Sequence, residues 1–388
     1  MKSFPKSFRT SSFLALAVAA ALAGCAATQD AGHSAMNMVK SATGQAQVVR
    51  QDVAPSLYEV AYSPSEDVVY AVSAGTPKDP ASGVKPKLFK LDPETLAVKA
   101  EIELPKPGYG LALDDEAHRL YIVDTRGGTL MVFDTTSGQV ASSVTMPPVL
   151  DAQGKPEKIE YREIVVDKAN HRLYLPAMSY HDSKLQVVNL DTLTVERTIP
   201  GFNFGATGIS MDSDAGKLYV SNLMGQLFVV DIGTLAITDR FEVQGDQLLN
   251  LVVDRDNKRL LAVDQGFDRL DVVRKERGGL NYQTRTQGNQ VLALDPSSGK
   301  VLQNIKAGTQ PVALLLDAPR NRLYVSNRVS GNISVLDPRT GKEIRTIDLP
   351  THPNSFALNP KTGAVYVTVK LPKEKPVTDK ESVARISF

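Results

Sequence analysis

One phrase recurs along the chain: a short apolar run, an acidic turn, a second apolar run carrying Leu-Tyr or a substitute, a loop, then a strand ending in Asp. The second run falls at Val69-Tyr70, Leu120-Tyr121, Leu173-Tyr174, Leu218-Tyr219, Leu260-Leu261, Leu323-Tyr324 and Val365-Tyr366. Successive copies are spaced by 51, 53, 45, 42, 63 and 42 residues. The shortest spacing is what four short strands and three turns require. The copy from Pro311 to Leu349 shows all four, at Val312 to Leu316, Arg322 to Ser326, Asn332 to Leu336 and Glu343 to Ile347. Turns of the Asp-Ala-Pro-Arg-Asn and Asp-Pro-Arg-Thr-Gly kind separate them, and such compositions break strands.

A four-stranded sheet cannot bury both faces alone, but seven stacked radially bury one another. The pattern therefore predicts an all-β, seven-bladed β-propeller over residues 47–388. The seventh copy reaches only a third strand, Val383 to Phe388, and lacks an outer one. Ala46 to Arg50, before the first repeat, is the expected substitute. Pairing the N-terminal strand with the C-terminal blade would close the ring and remove an exposed edge.

Tyr219-Val220-Ser221-Asn222, Tyr324-Val325-Ser326-Asn327 and Tyr366-Val367-Thr368 resemble the YVTN repeat. From Gln45 to Phe388 the chain resembles the YncE-like branch of seven-bladed propellers. The resemblance speaks to fold and not to chemistry. Asn222 and Asn327 are expected to pin loops through side chain-to-backbone bonds.

Composition locates the protein more than it describes its work. The 388 residues carry 44 Lys plus Arg against 43 Asp plus Glu, so overall charge supplies no reason to expect nucleic acid. The single Cys rules out internal disulfides, thiolate zinc sites and iron–sulfur clusters. Lys2, Lys6 and Arg9 precede an apolar run from Phe13 to Ala23, too short to span a bilayer but suited to a secretory signal. That run ends in Leu22-Ala23-Gly24-Cys25, which resembles the lipobox of bacterial lipoproteins.

The lipobox resemblance implies cleavage of residues 1–24 and acylation of Cys25, and the lipid chains would hold the protein to a membrane. Ala26 after the cysteine implies the outer membrane, with the propeller facing the periplasm. Residues 25–46 form the lipidated Cys and a polar, flexible tether.

In propellers, ligands gather where the strand starts and the loops between second and third strands converge on the central channel. Three such loops are long: Gly75 to Lys87, Gln265 to Gln290 and Lys370 to Ser382. The middle one holds Arg269, Arg274, Lys275, Arg277 and Arg285, candidates for meeting an anionic ligand or an acidic protein surface. At the strand starts the blades read Glu59, Gly110, Glu163, Gly208, Asn250, Ala313 and Ser355, preceded by Tyr58, Tyr109, Arg162, Thr207, Leu249, Val312 and Asn354. Tyr58, Tyr109, Arg162 and Asn250 join the ligand candidates.

Glu59, Glu163 and Asn250 also form the one set that could hold a hard cation, with the two glutamates as catalytic candidates of a lactonase-like hydrolase. Arg162 is expected instead to neutralise Glu163 or Glu59. No nucleotide fingerprint or Ser–His–Asp spacing appears, and the absence of Trp separates the chain from quinone-dependent propellers. The sequence thus predicts a non-catalytic binding or scaffolding propeller with no cofactor, and it favours a monomer without fixing the oligomeric state. Its expected partner is an envelope protein or a small anionic ligand, with the divalent-cation-dependent hydrolase as the alternative.

Overall fold

The computed structural model describes residues 46–388; the expected leader, Cys25 and the expected tether up to residue 45 lie outside the described residues. Seven antiparallel sheets form the blades of a propeller. Their innermost strands are Leu57–Ser63, Gly110–Asp114, Glu160–Tyr161 with Val165–Asp167, Ala206–Asp212, Leu248–Asp254, Pro311–Asp317 and His352–Leu358, for blades 1 to 7. Neighbouring inner strands touch all the way round the ring.

Blade 7 is completed as expected. Gln47–Ala54 pairs with Glu381–Ser387, in register from Gln47 opposite Ser387 to Asp52 opposite Ser382. The outer edge of that blade therefore comes from the other end of the chain.

The core is divided among the blade interfaces. Seven apolar clusters each draw on two adjacent blades, such as Leu57, Phe89 and Tyr366 between blades 1 and 7, or Tyr174, Phe202 and Phe228 between blades 3 and 4. The second strands are buried on both faces, which is why they read as continuous apolar runs.

Each turn from first to second strand holds one residue in the left-handed region: Asp67, His118, His171, Gly216, Lys258, Asn321 and Gly363. His118 and His171 are thus turn residues on the face opposite the strand starts. The turns from third to fourth strand are tied by Asp side chains. Asp134 accepts from the Ser137 N–H at 2.7 Å, and Asp337 from that of Thr340 at 3.1 Å.

The YVTN-like asparagines are structural. Asn222 donates to the Phe202 carbonyl at 3.0 Å and accepts from the Met224 and Gln226 N–H groups. Asn327 accepts from the Gly308 N–H and donates to Asn332 and Ser334.

Candidate functional site

Six of the seven inner strands lose regular pairing near their first residues. The register slips between Leu57 and Val60, Ala206 and Gly208, Leu248 and Leu251, Pro311 and Ala313, and Pro353 and Phe356. In blade 3 the break is wider, and the strand stops at Tyr161 and resumes at Val165. Bulges re-aim side chains. The residues they free are Tyr58-Glu59, Arg162-Glu163 and Asn250, along with Thr207 and Asn354-Ser355. The strand-start columns of the sequence are therefore a run of bulges around one end of the channel.

Large and small residues alternate there. Glu59, Glu163 and Asn250 come from blades 1, 3 and 5, with glycines on the blades between. A Cβ on Gly110 would stand 2.7 Å from the Arg162 carbonyl oxygen, and one on Gly208 would meet the Ser221 hydroxyl at 2.3 Å. The glycines let the polar residues close over the channel. The Asn250 Nδ2 donates to Glu163 Oε1 at 3.2 Å, and its Oδ1 accepts the Leu314 N–H of blade 6 at 3.0 Å. Since a backbone N–H can only donate, the amide orientation is fixed. Asn250 therefore offers Glu163 its nitrogen, so its oxygen does not join the two carboxylates at one point. Among the described residues no three His, Cys, Asp or Glu side chains lie close enough to hold a metal ion together.

Glu59 and Glu163 stand close enough for the charge of one to act on the other. Burial lifts the Glu59 carboxyl well above its ordinary range, and the charge of Glu163 adds to the effect. Ser355 and Lys370 work in the opposite direction. Burial also raises Glu163, against the hydrogen bond from Asn250 and the charge of Arg162.

The expected ion pair between Arg162 and either glutamate is not made. The Arg162 guanidinium bonds Glu160 at 2.8 Å, and Arg126 reaches the same carboxylate at 3.3 Å. The reason is local: Arg162 reaches the carboxylate of Glu160, two residues away, at 2.8 Å, whereas the Glu163 carboxylate is bonded by Asn250.

Tyr58 and Tyr109 meet edge to face, with ring centroids 4.4 Å apart. Burial pushes the Tyr109 phenol up to about 12 and also raises Tyr58. The Lys370 ammonium sits 3.9 Å above the Tyr58 ring and bonds Glu381 at 3.0 Å as well as the Leu57 carbonyl. Burial lowers its pKa, with Glu381 opposing.

Arg328 completes this mouth. Its Nη2 donates to Asn354 Oδ1 at 2.7 Å, while its Nε is buried with no hydrogen-bond partner. It forms no ion pair with the described residues. Burial, and then the charge of Arg162, lower its pKa. The mouth thus holds Arg126, Arg162, Arg328 and Lys370 alongside the carboxyls of Glu59, Glu160, Glu163 and Glu381.

Sequence reasoning missed Arg328, which follows the structural Asn327. Lys370, which opens the third long loop, folds its side chain inward onto Tyr58 and Glu381.

The long loop of blade 5 carries a helix, Leu270–Gly278. Arg274 is fully buried beneath it, paired with Asp246 and Asp271, bonded to the Leu223 carbonyl and stacked 4.1 Å from Tyr282. Arg285 bonds Glu242 at 2.7 Å, and Arg277 bonds the Tyr180 hydroxyl at 2.8 Å. Arg274 therefore fastens the loop instead of presenting a charge. Arg269, Lys275 and Arg277 are exposed.

Two cavities of about 460 Å³ open on the opposite face. One is lined by Glu66, Lys90 and His118, the other by Asp212, Arg255 and Arg259. Lys90 is paired with Glu66, Arg255 with Asp212, and Arg259 with Asp254.

The chain is similar to proteins named YncE. It is 27% identical over 291 residues to the uncharacterized protein YncE of Salmonella typhimurium strain LT2, covering 74% of this chain and 75% of the relative. It is 27% identical over 307 residues to the YncE of Escherichia coli K12, covering 72% of this chain and 85% of the relative. This is a seven-bladed propeller similar to the YncE proteins. No family model matches. The YncE relatives are themselves uncharacterized, so the chemistry of this propeller is read from its own mouth.

Proposed function

We propose that this propeller is a binding protein that takes a small anionic ligand at the strand-start mouth of its channel. The observation that carries the reading is Arg328: an enclosed guanidinium with no ion-pair partner among the described residues and a buried Nε that bonds nothing. A buried donor left unmade costs about 1–3 kcal/mol, and a carboxylate, sulfate or phosphate would recover it. Arg162 and Arg126 stand near enough to share the charge, and Tyr58 and Tyr109 supply an aromatic wall. The exposed cations of the blade 5 loop, Arg269, Lys275 and Arg277, extend the positive rim.

The test is calorimetric titration with inorganic sulfate, phosphate and citrate at low ionic strength, where surface charges are least screened. At least one should bind and raise the melting temperature, by about 2.7 kcal/mol of stability at a hundredfold excess over Kd. Arg328→Gln should weaken it at least tenfold. No binding by any of the three, or equal binding by the variant, overturns the reading.

The leader supports a place for this activity at the periplasmic side of the outer membrane, with Cys25 acylated. Labelled fatty acid should enter the wild-type protein in cells and be absent from Cys25→Ala. Equal labelling of the two would refute the anchor.

A further inference from the structure

We propose that the anion taken at the mouth is a small carboxylic acid with an apolar body, its carboxylate on Arg328 and its body on Val312 and Leu249. The proposal rests on the anion reading above and names the class of ligand. The residue that opens each bulge divides the mouth into two halves. Blades 1, 2 and 3 carry Tyr58, Tyr109 and Arg162 at this position, whereas blades 5 and 6 carry Leu249 and Val312. Thr207 of blade 4, between the halves, is buried.

Leu249 and Val312 lie inside the register slips, between Leu248 and Leu251 and between Pro311 and Ala313. Both are half-buried, and neither packs against any of the seven apolar clusters. Leu248 and Leu251, on either side of Leu249, do fill a seam. A single half-exposed apolar side chain is ordinary. Here two stand on adjacent blades, at the position where other blades bring Tyr and Arg to the mouth. Phe267 adds a third, also half-buried and outside the clusters. Its N–H donates to Gln247 Oε1 at 2.6 Å and its carbonyl accepts from Gln247 Nε2 at 3.0 Å, which holds it beside the start of blade 5.

The cation and the apolar wall adjoin on blade 6. The Arg328 N–H donates to the Gln310 carbonyl at 3.0 Å, two residues before Val312. Just after Val312, the Ala313 N–H donates to Ser326 Oγ at 3.0 Å. That hydroxyl donates to the carbonyl of Asn354 at 2.8 Å, and the Asn354 side chain accepts from Arg328. Val312 is therefore set in the same frame of bonds that seats the guanidinium. Arg126, Arg162 and Lys370 already bond carboxylates, whereas Arg328 forms no ion pair with the described residues. The site thus asks for one negative charge, and a carboxylate fits the guanidinium fork. The Asn250–Glu163 bond, one residue further along the strand, makes the channel axis polar and leaves the wall of blades 5 and 6 to the body.

The test is calorimetric titration of the full-length protein with butanoate, hexanoate and octanoate, with octanamide as the uncharged control and sulfate as the head-group reference. Affinity should rise about twofold to fourfold for each added methylene, and octanamide should not bind. Leu249→Ser combined with Val312→Ser should flatten the rise and leave sulfate affinity within twofold of wild type. If that variant melts early, Leu249→Ala with Val312→Ala removes the same contacts without placing a hydroxyl there. Equal affinity along the series, with sulfate bound, overturns the apolar body and leaves the anion reading standing. A rise that survives both double variants does the same. Octanoate binding that survives Arg328→Gln, or octanamide binding as tight as octanoate, overturns the carboxylate head. Failure of every carboxylate and of sulfate to bind overturns both readings.

Discussion

Val48 lies opposite Ile386 in the antiparallel ladder that joins the first described strand to the last. Ring closure depends on this pairing. The Arg50 guanidinium strengthens it by bonding the Ser382 hydroxyl at 2.6 Å, and Val53 and Ala54 are buried between blades 7 and 1. Deleting residues 46–54 strips a full strand from blade 7 and exposes Glu381–Ser387 as an edge. The expected loss is about 3 kcal/mol or more, the scale of unburying one or two apolar side chains. Urea unfolding measures it, and an unchanged midpoint would show that the ring stays closed without the strand.

The blade 5 insertion should depend on Arg274 for its order. Replacing Arg274 by Met leaves Asp246 buried and unpaired, at a cost of about 3–5 kcal/mol. Hydrogen exchange should rise across residues 265–290 while the other blades stay protected. Uniform exchange throughout would mean that the loop does not open by itself.

Asn222 tests whether the repeat motif is structural. Asn222→Ala removes bonds to the Phe202 carbonyl and to the Met224 and Gln226 N–H groups, so stability should drop by about 1–3 kcal/mol. Sulfate affinity should not move. A weakened affinity with normal stability would place the motif in the binding machinery.

The glutamate pair makes a separate prediction about pH. Each carboxyl has a higher pKa folded than unfolded, so the native state binds more protons. Stability is then greatest at or below the ordinary carboxylate range and falls as pH rises toward the folded-state value. Glu59→Gln removes the charge that drives the fall. It should melt several degrees above wild type at neutral pH, with the gap narrowing in acid. A gap constant with pH would mean that the carboxyl does not titrate there.

Much of this architecture was legible in the sequence. Leu-Tyr pairs mark second strands because those strands are buried on both faces, and Asp-Pro-x-Thr turns mark the outer hairpins because the Asp side chain ties its own turn. The closing strand showed as a lone apolar segment with no repeat to belong to.

The mouth was half legible. Glu59, Glu163 and Asn250 stood out against the small residues in their column, but their bulges and the Asn250 orientation depend on strands far away in the chain. Arg162 seemed the natural partner of Glu163, and only the break after Tyr161 shows it turned to Glu160. Arg328 carried no signal, since its importance comes from what fails to surround it. Arg274 looked like its exposed neighbours because Asp246 and Leu223, which enclose it, belong to the preceding part of the ring.

The bulges at the inner-strand starts have a consequence for how such a protein diversifies. They free Glu59, Glu163 and Asn250 from the apolar seams between blades, while Tyr58 still packs against the seam of blades 1 and 2. A substitution at a start that already carries a side chain alters the opening on one blade, whereas Gly110 and Gly208 admit none without a clash. Homologous rings could then share a frame while differing at every point that meets a solute.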